Sequence, residues 1–100
     1  MKRNLQVKVK KGEIILPVGF SSGFLERFKE EGCLFVIPQG WGRKLNLPKE
    51  EREFAGIGNE VQIVNCGDYF EIWNPQRFED FIKKEEDLYE EIAERLDIEL

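Results

Sequence analysis

Histidine is absent from this 100-residue sequence. With it go the commonest general base, the commonest metal ligand, and the Ser/His and Cys/His pairs that activate nucleophiles. The expectation is a non-enzyme with no catalytic residues, metal site or cofactor. Carboxylates are plentiful, but they lie in charged, helix-like stretches where a solvated face accounts for them better than a glycosidase-like pair. Only two cysteines occur, Cys33 and Cys66, at a spacing that suits neither a zinc site nor a disulfide scaffold, so both read as free thiols. Long apolar runs are missing too. Nothing approaches the roughly 20 residues of a membrane span, and the N-terminus lacks the apolar stretch of a signal peptide, which points to a cytoplasmic protein with no membrane contact.

What is present suits one domain with one modest core: 41% of residues are hydrophobic and 35% charged. The net charge of -5 is unevenly spread. Residues 75–100 hold four bases against ten acids, which leaves a slight positive balance before them. The first eleven residues carry Lys2, Arg3, Lys8, Lys10 and Lys11 with no acid, so a basic N-terminal patch survives the overall sign.

Along the chain, Leu5, Val7 and Val9 alternate with Gln6, Lys8 and Lys10, the period-2 pattern of a strand with lysines on one face. Lys11-Gly12 predicts a turn, and Glu13 to Leu16 a second strand closing a hairpin before Pro17. Ser21 or Ser22 can cap a short helix carrying Phe24, Leu25 and Phe28, stopped by Gly32. Cys33 to Ile37 is a continuous apolar run, read as a strand buried on both faces and bounded by Pro38. The second half repeats this order. Lys44 to Leu47 reads as a strand, Lys49 to Ala55 as a short helix opened by Pro48 and stopped by Gly56, and Val61 to Ile72 as a hairpin turning at Asn65-Cys66-Gly67-Asp68.

Gly12-Glu-Ile-Ile-Leu-Pro17 against Arg43-Lys-Leu-Asn-Leu-Pro48 sets a period of about 31 residues. Two copies are too few for a stacked solenoid, so the repeat predicts an α+β, mainly β barrel of two pseudo-symmetric strand-helix-strand halves, 1–38 and 39–74. From Asn74-Pro75 the pattern changes to a long C-terminal amphipathic helix over 75–100 carrying Phe78, Phe81, Ile82, Leu88, Tyr89, Ile92 and Leu96. Its length exceeds what so small a barrel can cover. Leu88, Tyr89, Ile92 and Leu96 are therefore expected to meet a neighbouring subunit in a homo-oligomer, the alternative being a helix folded back on its own barrel.

The run Gly32-Cys-Leu-Phe-Val-Ile-Pro38 resembles the strand that ends the first half of MraZ proteins. Leu47-Pro48, Arg52-Glu-Phe-Ala-Gly-Ile57, Phe70-Glu-Ile-Trp-Asn74 and Phe78 are similar in type and spacing to that family's second half. The resemblance implies an AbrB-like swapped-hairpin barrel, assembly into rings, and nucleoid-associated binding of repeated promoter elements in double-stranded DNA. It also implies an Asp-x-x-x-Arg reading turn in each half, and here the matching positions depart. Val9 and Glu13 stand in the first; Gly40 and Lys44, or Gln39 and Arg43 with one inserted residue, stand in the second. Nearly all of the family's connector between the halves is missing at Pro38-Gln39.

Lys8, Lys10, Lys11, Arg43 and Lys44 are the candidate DNA-binding residues, forming one basic rim from the two related turns. Ordinary surface lysine that guards strand edges is the competing reading. Trp41 is either a packed anchor or an exposed aromatic contact, and Trp73 is expected in the core. Three functional classes follow: an oligomeric DNA-binding transcription regulator; an assembly module that has lost DNA reading; and, more remotely, an antitoxin-like binding protein.

Overall fold

The computed structural model describes residues 4–40 and 42–99, with side chains described for residues 5–40 and 42–87. Trp41 and the side chains of Leu88, Tyr89, Ile92 and Leu96 lie outside the described residues. The described elements are β1 (Asn4–Lys8), β2 (Glu13–Ile15), β3 (Gly23–Phe28), β4 (Cys33–Pro38), β5 (Lys44–Asn46), α1 (Lys49–Ala55), β6 (Glu60–Asn65), β7 (Phe70–Trp73) and α2 (Pro75–Glu99). The chain is thus α+β and mainly β, with an antiparallel five-stranded sheet in the order β1-β6-β7-β4-β3 and a separate antiparallel ribbon of β2 and β5.

Period-2 alternation divides the sheet's faces. Leu34, Val36, Val61, Ile63, Phe70 and Ile72 point to one side, where Ile14, Leu16, Leu45, Leu47 and Ala55 from the ribbon and α1 complete a buried core. Cys33, Val64 and Trp73 point to the other, against Phe78 and Phe81 at the start of α2. In the apolar run of β4, Cys33, Leu34 and Val36 are buried, as its composition predicts, but Phe35 is half-buried and Ile37 is exposed.

The sequence repeat is visible as a local twofold relation. Ile14 pairs with its counterpart Leu45 at the centre of the ribbon. The Leu16 N–H donates to the Arg43 carbonyl at 2.6 Å, and the Leu47 N–H donates to the Gly12 carbonyl at 2.7 Å. Each bond joins residues that the 31-residue offset exchanges, the reciprocity a twofold axis demands.

Three expectations require correction. The segment after Ser21 and Ser22 is strand β3, so the first half lacks the helix of a strand-helix-strand unit. Phe24, Leu25 and Phe28 fit either period, and pairing with apolar β4 decides in favour of the strand; Gly32 lies in the β3–β4 turn, its N–H on the Phe28 carbonyl. Second, β1 and β2 do not form an extended hairpin. Their two-residue turn is made, with both Lys10–Glu13 backbone bonds at 2.9 Å and positive φ at Lys11 and Gly12, but β1 then pairs with β6 and β2 with β5. Third, Pro48 is the cap preceding α1 rather than its first residue.

The helix ends follow their sequence signals. Gly56 closes α1 in the left-handed conformation, with φ 65°. Asn74 caps α2, its Oδ1 accepting from the N–H groups of Gln76 and Arg77, while its Nδ2 donates to the Gly56 carbonyl at 2.6 Å. Arg77 fastens the same corner by donating to the carbonyls of Gly32 and Phe54. After Phe81 every described side chain of α2 is exposed, so the helix leaves the sheet there. Among the described residues no helix is long and apolar enough to cross a membrane.

Cys33 is a free and fully buried thiol, while the Cys66 thiol donates to the Val64 carbonyl at 3.7 Å. Burial pushes the Cys33 thiol from an ordinary 9.0 up to about 12, with the nearby Glu71 and Glu31 charges adding to it. The folded state therefore holds this proton more tightly than the unfolded chain. Its contribution is complete below about pH 9 and is lost as pH rises from there through about 12. Cys33→Ala should accordingly lose less stability than the parent on going from pH 9 to pH 11 in denaturant titrations; parallel losses would contradict this.

Candidate nucleic-acid interface

Alternation in β1 turns Lys8 away from the core, and the tight turn at Lys11-Gly12 carries two more cationic groups, Lys10 and Lys11, just beyond the strand. The ribbon then brings in a distant residue: Ile15 pairs with Lys44, which places the second half's lysine beside the first half's turn. The outcome is an open groove of about 410 Å³ lined by Val7, Lys8, Lys10, Lys11, Glu13, Ile15 and Lys44. All four lysines are exposed. Two acids temper them, since Glu13 lines the groove and Glu60 stands opposite Lys8 across the β1–β6 ladder. Ile15, 56% exposed, leaves an apolar spot among the ammonium groups.

Arg43 stands apart from the other four candidates. Its guanidinium turns back to the Leu16 carbonyl, with Nε at 3.1 Å and the terminal nitrogen at 3.0 Å, and so clamps the end of β2. Arg52 does the same at the related position, its Nε donating to the Leu47 carbonyl at 2.9 Å. Val9, at the position of the first expected aspartate, packs partly buried against the core. Spacing alone could not reveal that Arg43 is diverted, because its acceptor lies 27 residues away. Among the described residues no group of three or more His, Cys, Asp or Glu side chains could hold a metal ion.

Residues 40–99 match the family described as "MraZ protein, putative antitoxin-like". The chain belongs to the MraZ family. The MraZ match takes in β5, α1, β6, β7 and α2, the part of the chain that carries Lys44 and the helix ends. Among curated MraZ relatives, a protein named "Transcriptional regulator MraZ" from Syntrophomonas wolfei subsp. wolfei is 42% identical over 70 residues, covering 70% of this chain and 48% of the relative. That match spans about half the relative's length. A second protein of the same name, from Symbiobacterium thermophilum, is 39% identical over 126 residues, covering 86% of this chain and 91% of the relative. The second alignment is longer than this chain, so that MraZ relative carries residues with no counterpart here.

Proposed function

We propose that this MraZ-family chain is a transcription regulator that binds double-stranded DNA through Lys8, Lys10, Lys11 and Lys44 and acts as an oligomer on repeated promoter elements. The reading is carried by one observation, four exposed lysines drawn from both halves onto a single groove. Such a surface neutralises phosphates and releases their counterions, which makes binding steeply salt-dependent but weakly selective for sequence. Selectivity then comes from repetition. Several modest modules on one assembly engage successive repeats at high effective concentration. The swapped-hairpin barrel, the nucleoid location in the cytoplasm, and a subunit contact through Leu88, Tyr89, Ile92 and Leu96 belong to the same proposal; the names of the two relatives support its regulator role.

The test is a salt-dependent titration on DNA carrying one or several copies of a promoter repeat, comparing the parent with Lys10→Glu/Lys11→Glu/Lys44→Glu. Arg43 is spared, because its guanidinium holds the end of β2. The variant should bind at least about tenfold more weakly, with the slope of log K against log salt reduced by about one for each phosphate no longer neutralised. Indistinguishable curves would refute the groove as the DNA surface. Equal affinity per site on one and several repeats would refute the oligomeric mode.

A further inference from the structure

A second groove, of about 430 Å³, opens on the opposite face of the sheet between α2 and the strands. Its apolar walls come from Phe28, Tyr69, Phe78 and Phe81. Its polar groups are all acidic apart from the tyrosine: Glu31 from the β3–β4 turn, Glu71 from β7 and Glu85 from α2. Three elements thus deliver three like charges to one aromatic cleft. Their proximity registers on Glu31, whose carboxyl lies above the usual range through partial burial and the charges of Glu71 and Glu85. Among the described residues, none of the ion pairs involves Glu31, Glu71 or Glu85. Among the described residues no cation lines this groove; Arg77 and Lys84 stand in the adjoining one, which shares Glu31 and Phe81.

We propose that this groove docks a basic peptide segment of another protein, with an arginine side chain lying between the aromatic walls and its guanidinium facing Glu31, Glu71 and Glu85. Arginine fits both halves of the site. Its plane stacks on aromatic rings, and its fork of donors can serve more than one carboxylate at once. A bare divalent ion would leave the apolar walls unused, and these carboxylates do not form a metal-holding group. Among the arginines whose side chains are described, a second copy of this chain offers none that is uncommitted. Arg27 is paired with Glu51, Arg43 and Arg52 are bound to the Leu16 and Leu47 carbonyls, and Arg77 is bound to those of Gly32 and Phe54. Every arginine whose side chain is described is already committed within its own fold. The proposal is independent of the DNA reading, since the two grooves share no residue.

The structure also supplies a reporter. The Trp73 indole donates to the Glu71 carboxylate at 3.2 Å, so a cation arriving at Glu71 alters the acceptor of that N–H. The experiment titrates the full chain with the synthetic peptide acetyl-Leu-Arg-Leu-Arg-Leu-amide and follows the Trp73 indole N–H resonance. A saturable shift is expected, weakened at least about tenfold with a peptide carrying neutral citrulline for arginine, and similarly by Glu31→Gln/Glu85→Gln, two changes outside both core clusters. No saturable shift overturns the proposal. So does equal binding of the citrulline peptide, which would mean a merely apolar groove, or unchanged affinity in the double variant. Displacement of the peptide by millimolar calcium, with calcium itself moving the resonance, would make the groove a metal site and also overturn it. A peptide that instead dissolves a self-associated form in sedimentation would assign the groove to a second copy, with the same consequence.

Discussion

Trp73→Ala should destabilise the protein by about 3–5 kcal/mol, the range for truncating a buried aromatic, and should loosen α2 from the sheet. Trp73 is 2% exposed and forms the floor of the smaller core, beside Cys33 and Val64. Phe78 meets its ring edge-on at 5.5 Å and Phe81 lies tilted against it at 5.1 Å, so both aromatic anchors of α2 share one seat. Beyond Phe81 every side chain described on α2, as far as Asp87, is exposed. A loss of that size is a large fraction of the roughly 5–15 kcal/mol that keeps a domain folded. The checks are a denaturant titration and amide exchange across residues 75–87, where protection should fall further than in β6 or β7. A loss below about 1 kcal/mol, or exchange that rises uniformly, would mean α2 is held by its Asn74 and Arg77 hydrogen bonds instead.

Gly23→Ala should cost about 3 kcal/mol, at the upper end of what overpacking does, because the obstruction is backbone rather than a side chain that can swing away. A Cβ built at Gly23 overlaps the Ile37 carbonyl oxygen and lies 2.7 Å from the Gln39 nitrogen. Gly23 opens β3 opposite Pro38, where the edge strand joins the sheet. Relief would require β3 to separate from β4 at that end, straining the Gln39 N–H bond to the Ser22 carbonyl. Gly58→Ala is the matched control, since its Cβ would meet nothing within 4 Å. Urea midpoints of the two variants decide the matter. Equal midpoints would show that the edge yields without cost.

Where neighbours in sequence decide the structure, the sequence can be read to the residue. Pro48 and Gly56 bracket α1 over Lys49–Ala55, Asn74-Pro75 starts α2, and the Asn65-to-Asp68 turn joins β6 to β7. Where a distant partner decides, it cannot. Phe24, Leu25 and Phe28 satisfy a helical and an extended period alike, and only the apolar edge of β4 selects between them. The Lys11-Gly12 turn is legible, but not that its flanking strands join different sheets. The candidate sites divide the same way. The repeat points to Lys44 as a member of the basic rim, while the acidic groove, assembled from residues 31, 71 and 85, leaves no trace in any local pattern.

The pairing order has a bearing on how the two halves hold together. In the five-stranded sheet β1 is hydrogen-bonded to β6 and β4 to β7, and in the ribbon β2 is bonded to β5. Each half therefore lends its strands to the other, as two clasped hands hold without help from the arms. The covalent link between Pro38 and Lys44 carries little of the burden of keeping the halves together. A break in the register of any one clasped pair would therefore be felt on both sides of that link at once.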